Sequence, residues 1–125
     1  MHTILLSINP DHVNNIFNGS KRYEFRRVRC KVEVSKILIY STSPTMKVVG
    51  EAEVENVLEE PLDDLWGMTF KEAGVEKEFF YRYYRGKSYG IAYELNNIVQ
   101  YSEERPLSYY GLKSAPQSFA YVNQE

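Results

Sequence analysis

The segment that says most about the fold is Gly19-Ser20-Lys21-Arg22-Tyr23-Glu24-Phe25-Arg26-Arg27. It opens with a glycine turn and continues as a short alternating strand. Residues two apart in a strand share a face, so Glu24 and Arg26 point one way and the two aromatic residues point the other. If the aromatic residues lie in the core, the charged pair faces a cleft or solvent. If the charged pair lies inside, its members must pair, because an isolated buried charge is costly.

Strand and helix signals surround this stretch. A β-branched strand is predicted at 3–8, followed by a helix that Asn9 caps, Pro10 begins and Gly19 ends. Further strands are predicted at 23–27, 36–40, 46–58, 89–95, 98–102 and 117–122, with helices at 61–66, 69–73 and 76–85. Asn96-Asn97 predicts a hairpin turn between 89–95 and 98–102, a capping box is predicted at 69–72, and 123–125 are expected to fray. Helices at irregular intervals among strands predict an α+β fold, a small closed or partly closed β-barrel with peripheral helices.

Size and composition limit the class of protein. A chain of 125 residues with 43% hydrophobic residues predicts one domain, 1–125, with an ordinary core. One cysteine and two histidines supply neither a disulfide framework nor a structural zinc site, so we expect no metal and no cofactor. No apolar run approaches the roughly 20 residues of a membrane helix. We expect a cytoplasmic protein that does not contact a membrane.

Charge is unevenly distributed along the chain. Six basic residues against one acidic residue fall within Lys21–Lys31, whereas Glu51–Asp64 holds seven acidic residues and no basic one. Two solvated surfaces of opposite sign would explain this pattern. The alternative is an anion site at Lys21–Lys31 that meets a phosphate backbone.

Several other residues have two interpretations. The hydroxyls of Ser41, Thr42 and Ser43 follow a predicted central strand, where they either contact a ligand or satisfy loop backbone. The aromatic residues of 76–85 could stack on bases, but their i, i+4 spacing favours core packing. His12 is assigned to the outer face of the first helix, without a role.

Gly19, Lys21, Glu24 and Arg26 match the G-x-K-x-x-E-x-R signature, and the chain therefore resembles the ASCH family, a branch of the PUA-like barrels. Other segments resemble that family in the same order: the leading strand 4–8, Ile-Tyr-Ser-Thr-Ser-Pro at 39–44, Val-Val-Gly-Glu-Ala-Glu-Val at 48–54 and Ala-Pro-Gln-Ser-Phe at 115–119. The resemblance runs nearly from end to end.

The resemblance implies a PUA-like β-barrel of about five to seven mostly antiparallel strands with a ligand cleft. Lys21, Glu24 and Arg26 would line or brace that cleft, with the loop 41–43 nearby. The family is proposed to bind RNA, and some members resemble transcription coactivator components. A few members are ribonucleases or amidohydrolases that deacetylate acetylated cytidine. The amidohydrolases carry a threonine nucleophile where this chain has Glu24, and a carboxylate cannot supply that alkoxide.

Three functional hypotheses follow. The first is binding of RNA or a nucleotide ligand through Lys21, Glu24, Arg26 and the hydroxyls of Ser41, Thr42 and Ser43, in RNA metabolism or transcription-related regulation. The second is a hydrolase acting on RNA or a modified nucleoside, with Lys21 and Glu24 as an acid–base pair. The third is a protein-interaction domain in which Glu24 and Arg26 form a structural pair and the acidic segment 51–64 docks a basic partner.

Overall fold

The computed structural model describes residues 2–122, which form six strands and three α-helices. The strands are β1 (His2–Ile8), β2 (Tyr23–Arg26), β3 (Val34–Ser41), β4 (Lys47–Pro61), β5 (Tyr89–Arg105) and β6 (Phe119–Val122). The helices are α1 (Pro10–Phe17), α2 (Leu62–Thr69) and α3 (Lys77–Tyr83), with single 3₁₀ turns at Phe70–Glu72 and Leu107–Tyr110. The predicted fraying at 123–125 lies outside the described residues.

All six strands belong to one sheet with the order β2-β5-β4-β3-β1-β6. The pairing of β1 with β3 is parallel and the other four pairings are antiparallel, as expected for a mostly antiparallel sheet. Within residues 2–122 the end strands β2 and β6 do not pair with each other, so the sheet is open. The mixed α+β class is confirmed, whereas closure into a barrel is not.

Alternation along β1 explains why the sheet buries residues on both faces. Ile4 and Leu6 lie in one hydrophobic cluster, and Leu5 between them lies in another. The largest cluster takes Val13 and Ile16 from α1, which is how the apolar stripe of this helix becomes attached to the sheet. The position of α1 therefore follows from its i, i+3 spacing.

The other two helices cover the end of the sheet that carries β2. Phe25 and Ala92 pack there with Leu65 of α2, with Phe80 of α3 and with Tyr84, the C-cap residue that ends α3. Phe80 and Tyr84 are 1% and 0% exposed. Burying an aromatic side chain of this kind stabilises a fold by about 1.5–3 kcal/mol. This cluster fixes α3 beside β2, and so determines what lies next to the signature residues.

The predicted hairpin at 89–102 is wrong. One strand, β5, continues through Asn96-Asn97 and pairs with β4 on both sides of it, from Pro61↔Tyr89 to Val48↔Arg105. The pairing register shifts three times along this ladder, and Asn97 takes φ 47°. Asparagine tolerates this left-handed conformation at a bulge as well as at a turn. Because β5 pairs with the long strand β4 on both sides of Asn97, the residue lies at a bulge and not in a turn.

The two short helices predicted at 61–66 and 69–73 are one helix, α2, followed by a 3₁₀ turn. Thr69 does not cap a second helix. Its buried hydroxyl donates instead to the Leu65 carbonyl at 2.8 Å, four residues back in the same helix. The hydroxyl is thus engaged within α2 and does not cap the 3₁₀ turn that follows.

Candidate functional site

The end of α1 places Lys21 inside the protein. Asn9 caps the start of the helix through its side chain, and Gly19 ends it with φ 89°. The chain then reverses, and the Lys21 N–H donates to the Asn15 carbonyl at 3.0 Å. Lys21 also forms an isolated antiparallel bridge with Ala73. Main-chain interactions with Asn15 and Ala73 therefore hold the backbone of Lys21 in place independently of its side-chain contacts.

The side chain of Lys21 is almost completely enclosed, with 1% of the residue exposed. Its Nζ donates to the Ala73 carbonyl at 2.9 Å and lies 4.7 Å from the centre of the Phe25 ring. Gly74 packs directly against its aliphatic stem, so that a Cβ at Gly74 would fall 2.3 Å from the Cβ of Lys21. The site is shaped around this one side chain.

Burial lowers the pKa of Lys21; the Glu24 carboxylate opposes this shift, and Arg26 adds to it. Removing an ammonium group from water favours its neutral form. The lysine is thus shifted toward a state in which it can exchange a proton.

Glu24 and Arg26, which their spacing places on one face of β2, form an ion pair, with Arg26 Nη2 at 3.1 Å from Glu24 Oε2. Their side chains are 7% and 11% exposed. The same guanidinium donates to the Ser7 carbonyl at 2.8 Å and to the Ser118 carbonyl at 3.3 Å. Glu24 Oε1 and Arg26 Nε are buried and have no hydrogen-bond partner among residues 2–122. The pair is therefore only partly satisfied by the protein.

A cavity of about 200 Å³ lies between α1, β2 and α3, and we call it the polar cavity. Lys21, Glu24 and Arg26 all line it, so the structure brings these three predicted residues together. Its other lining residues are Ser7, Ile8, Asn9, His12, Phe25, Phe79 and Tyr83.

One wall of the polar cavity is aromatic. Phe79 and Tyr83 on α3 stack at 6.2 Å with an interplanar angle of 6°, and His12 meets the edge of Phe79 at 5.2 Å. Burial raises the pKa of Tyr83. The i, i+4 spacing on α3 thus serves two purposes, because Phe80 and Tyr84 pack in the core while Phe79 and Tyr83 face the cavity.

His12 is the residue that sequence reasoning missed, since it lines the polar cavity rather than the outer face of α1. Burial and the nearby Lys21 charge lower the pKa of His12, against opposing effects of Glu24 and Asp11. Position alone could have identified it, because His12 lies four residues before Ile16 and at the edge of the apolar stripe.

None of the three predicted hydroxyl residues, Ser41, Thr42 and Ser43, lines the polar cavity. Ser41 is buried and lines a different surface depression with Pro44 and Tyr101. Thr42 and Ser43 line neither of these two spaces. The Thr42 N–H donates to the Ile8 carbonyl at 3.0 Å, a main-chain bond that does not involve the hydroxyl. Ligand contact by these three residues stays a prediction.

The basic run Lys21–Lys31 does not form one surface. Lys21 and Arg26 are enclosed in the cavity wall, as described above. Arg22 lies 3.8 Å from Glu55, and Arg29 lies 2.8 Å from Glu59. Part of the run therefore pairs with the acidic segment 51–64, so the predicted continuous anion surface is divided by ion pairs.

Within residues 2–122, no three His, Cys, Asp or Glu side chains group in a way that could hold a metal ion. None of the helices there has the length and apolar character needed to span a bilayer.

Comparisons with known proteins identify a family and several relatives. The family model described as ASCH domain matches residues 6–116. The large ribosomal subunit protein uL22 of Ureaplasma parvum serovar 3 is 30% identical over 121 residues, which span 96% of this chain but only 39% of that protein. An ASCH domain-containing ribonuclease of Zymomonas mobilis is 27% identical over 128 residues, covering 97% of this chain and 84% of that protein.

Solved structures agree with the fold. The crystal structure of ASCH from Zymomonas mobilis superposes with a TM-score of 0.89 at 24% identity, covering 98% of this chain and 89% of that chain. A single-substitution mutant of the same protein gives a TM-score of 0.88 at 23% identity, covering 99% of this chain and 92% of that one. At this identity the likeness establishes the arrangement of the elements.

Proposed function

Because the chain belongs to the ASCH domain family, we propose that it binds RNA or a nucleotide ligand through the polar cavity. Two relatives support the RNA part of this proposal, since one is named a ribosomal protein and another a ribonuclease. A cytoplasmic location, a role in RNA metabolism or transcription-related regulation, and a single domain over 1–125 remain predictions that go with it.

The observation that carries the proposal is the incomplete satisfaction of the Glu24–Arg26 pair. Buried polar atoms in native proteins almost always have a partner. An unsatisfied one costs about 1–3 kcal/mol. Glu24 Oε1 and Arg26 Nε lack protein partners within the described chain. A ligand that donates to the carboxylate and accepts from the guanidinium would recover this free energy on binding.

The shape and lining of the cavity favour a nucleobase as that group. The volume of about 200 Å³ is below the roughly 300–1,000 Å³ of drug-sized pockets, so one ring system fits better than a large ligand. Phe79 and Tyr83 offer aromatic surface, against which bases stack with about 1–3 kcal/mol each. A carboxylate accepts from an exocyclic amino group, and an arginine donates to ring nitrogen or carbonyl oxygen.

Binding of a labelled short single-stranded RNA, followed by fluorescence anisotropy, tests this function. We expect Glu24→Gln to weaken binding by about 10- to 100-fold, as the loss of a charged hydrogen bond implies. Glu103→Gln is the matched control, because Glu103 is exposed on β5 and forms no ion pair with the described residues. Equal affinity in wild type and Glu24→Gln, with a lower unfolding midpoint for the variant, would instead make the pair structural.

Hydrolysis is the second candidate function, and the lowered pKa of the enclosed Lys21 is the observation that favours it. Glu24 would accept a proton from an attacking hydroxyl, and Lys21 would return one to the leaving oxygen. His12 lines the same cavity with a lowered pKa and is a further base candidate. Incubation with RNA and with acylated nucleosides decides this point. Product that forms equally fast with Glu24→Gln would exclude the mechanism.

A further inference from the structure

Three exposed arginines lie on or near the C-terminal end of α3, and we call Arg27, Arg82 and Arg85 the arginine rim. The guanidinium of Arg82 lies 5.7 Å from the centre of the Phe79 ring, which lines the cavity. Arg27 donates from Nη2 to the Arg85 carbonyl at 3.2 Å, just beyond the end of α3. The rim is assembled from two distant parts of the sequence.

Among residues 2–122 the arginine rim has no carboxylate partner. No acidic side chain among residues 2–122 lies within 4.0 Å of a rim guanidinium, whereas Arg22 and Arg29 each pair with a glutamate. The negative end of α3 attracts cations, but only by about 0.3–1 kcal/mol at an exposed position. That attraction accounts for one arginine near the helix end better than for three.

We propose that the arginine rim is a phosphate subsite that holds the nucleic-acid backbone next to the nucleotide in the polar cavity. This inference rests on the proposed function, since it gives the cavity a polyanionic ligand rather than a free base. Guanidinium groups bind phosphate oxygens through two parallel N–H donors. Because the rim adjoins the stacked wall of Phe79 and Tyr83, one nucleotide can reach both surfaces.

Contacts in the polar cavity and contacts at the arginine rim should differ in their dependence on salt. The polar cavity recognises the base, whose contacts are short-range and weakly dependent on salt. The rim contacts phosphates, whose neutralisation releases counterions, with a slope of log K against log salt of about −0.7 per contact for single strands. Removing two rim arginines should therefore reduce the magnitude of the slope by about 1.4.

Salt-titrated binding of a short single-stranded RNA to the full chain, between about 50 and 200 mM salt, tests the subsite. The test variant is Arg82→Gln/Arg85→Gln, and the matched control is Arg29→Gln, an exposed arginine of the basic run that pairs with Glu59. We expect about tenfold weaker binding at low salt and a shallower slope for the double variant. The control should keep the wild-type slope.

Two failures are distinguishable. If wild type binds the RNA and Glu24→Gln weakens it, while the rim double variant keeps both affinity and slope, the subsite is refuted and the base-binding function stands. If wild type does not bind the RNA, the proposed function is refuted and the subsite falls with it. Arg82 and Arg85 are both exposed, so the double variant is expected to fold.

Discussion

Lys21→Met is the substitution that best separates a functional lysine from a structural one. Methionine keeps an unbranched side chain of similar length and removes the ammonium group. In the wild type Lys21 is 1% exposed, and its ammonium group donates to the Ala73 carbonyl at 2.9 Å. Its lowered pKa means that folding disfavours the charged form. We therefore expect the wild type to carry a pH-dependent cost that the variant lacks.

The sign and size of this cost follow from proton linkage. The side chain of Lys21 has a pKa of 10.5 in the unfolded chain and a lower pKa in the folded protein. Between those two values the unfolded chain binds more protons, so stability rises with pH. The free energy of unfolding of wild type, relative to Lys21→Met, should fall as the pH is lowered from 10.5. Its slope should approach about 1.4 kcal/mol per pH unit and flatten below the folded pKa.

Urea unfolding monitored by Trp66 fluorescence measures this difference. Trp66 is the single tryptophan and packs 5.0 Å from Phe80, so its emission reports on the core beside α3. Working between about pH 8 and 10.5 keeps His12 uncharged, because its pKa is lowered from 6.5. Tyrosine ionisation is common to both proteins and cancels in the difference. A difference that is flat across this range, or that grows in favour of wild type as pH falls, would refute the reasoning.

Three further substitutions test the packing of the site. Gly74→Ala should destabilise by about 2 kcal/mol or more, since its Cβ would overlap the stem of Lys21 at φ 69°; Gly19→Ala, with open space around it, should cost less in the same urea titration. Tyr84→Phe should lose about 1 kcal/mol, because a buried hydroxyl that donates at 2.8 Å disappears; an unchanged midpoint would contradict this. Arg26→Lys should lower the thermal midpoint, because an ammonium group cannot reproduce the planar fork that meets one carboxylate and two carbonyls; a midpoint equal to wild type would show that the fork is dispensable.

Local chemistry made much of the fold predictable. The cap at Asn9, the left-handed Gly19 and the alternation of β2 lie where the sequence predicts them, because each depends on neighbouring residues. The shared face of Glu24 and Arg26, on which they form their ion pair, also follows from strand spacing. These features need no knowledge of how distant segments pack.

Features that depend on distant partners were not predictable. Asn96-Asn97 has the chemistry of a turn, yet the ladder to β4 keeps β5 continuous. His12 enters the cavity wall only because α3 packs against α1 at that point, with Phe79 meeting its ring. The basic run predicts one surface because its charges are adjacent in sequence. In the fold its members separate, and Arg27 donates instead to the carbonyl of Arg85, just beyond the end of α3.

The bonds from Arg26 to the carbonyls of Ser7 and Ser118 have a consequence for how the molecule opens. They tie β2, at one end of the ladder, to β1 and to the residue before β6, at the other end. One side chain replaces a row of main-chain bonds at this junction, so amide protons of β2 and β6 should exchange with solvent sooner than those of β3 and β4. A ligand that draws the guanidinium into the cavity would compete with both carbonyls. Ligand occupancy of the polar cavity is then coupled to the protection of β2 and β6 from hydrogen exchange. The exchange rates of these two strands should change together, although the strands do not pair with each other.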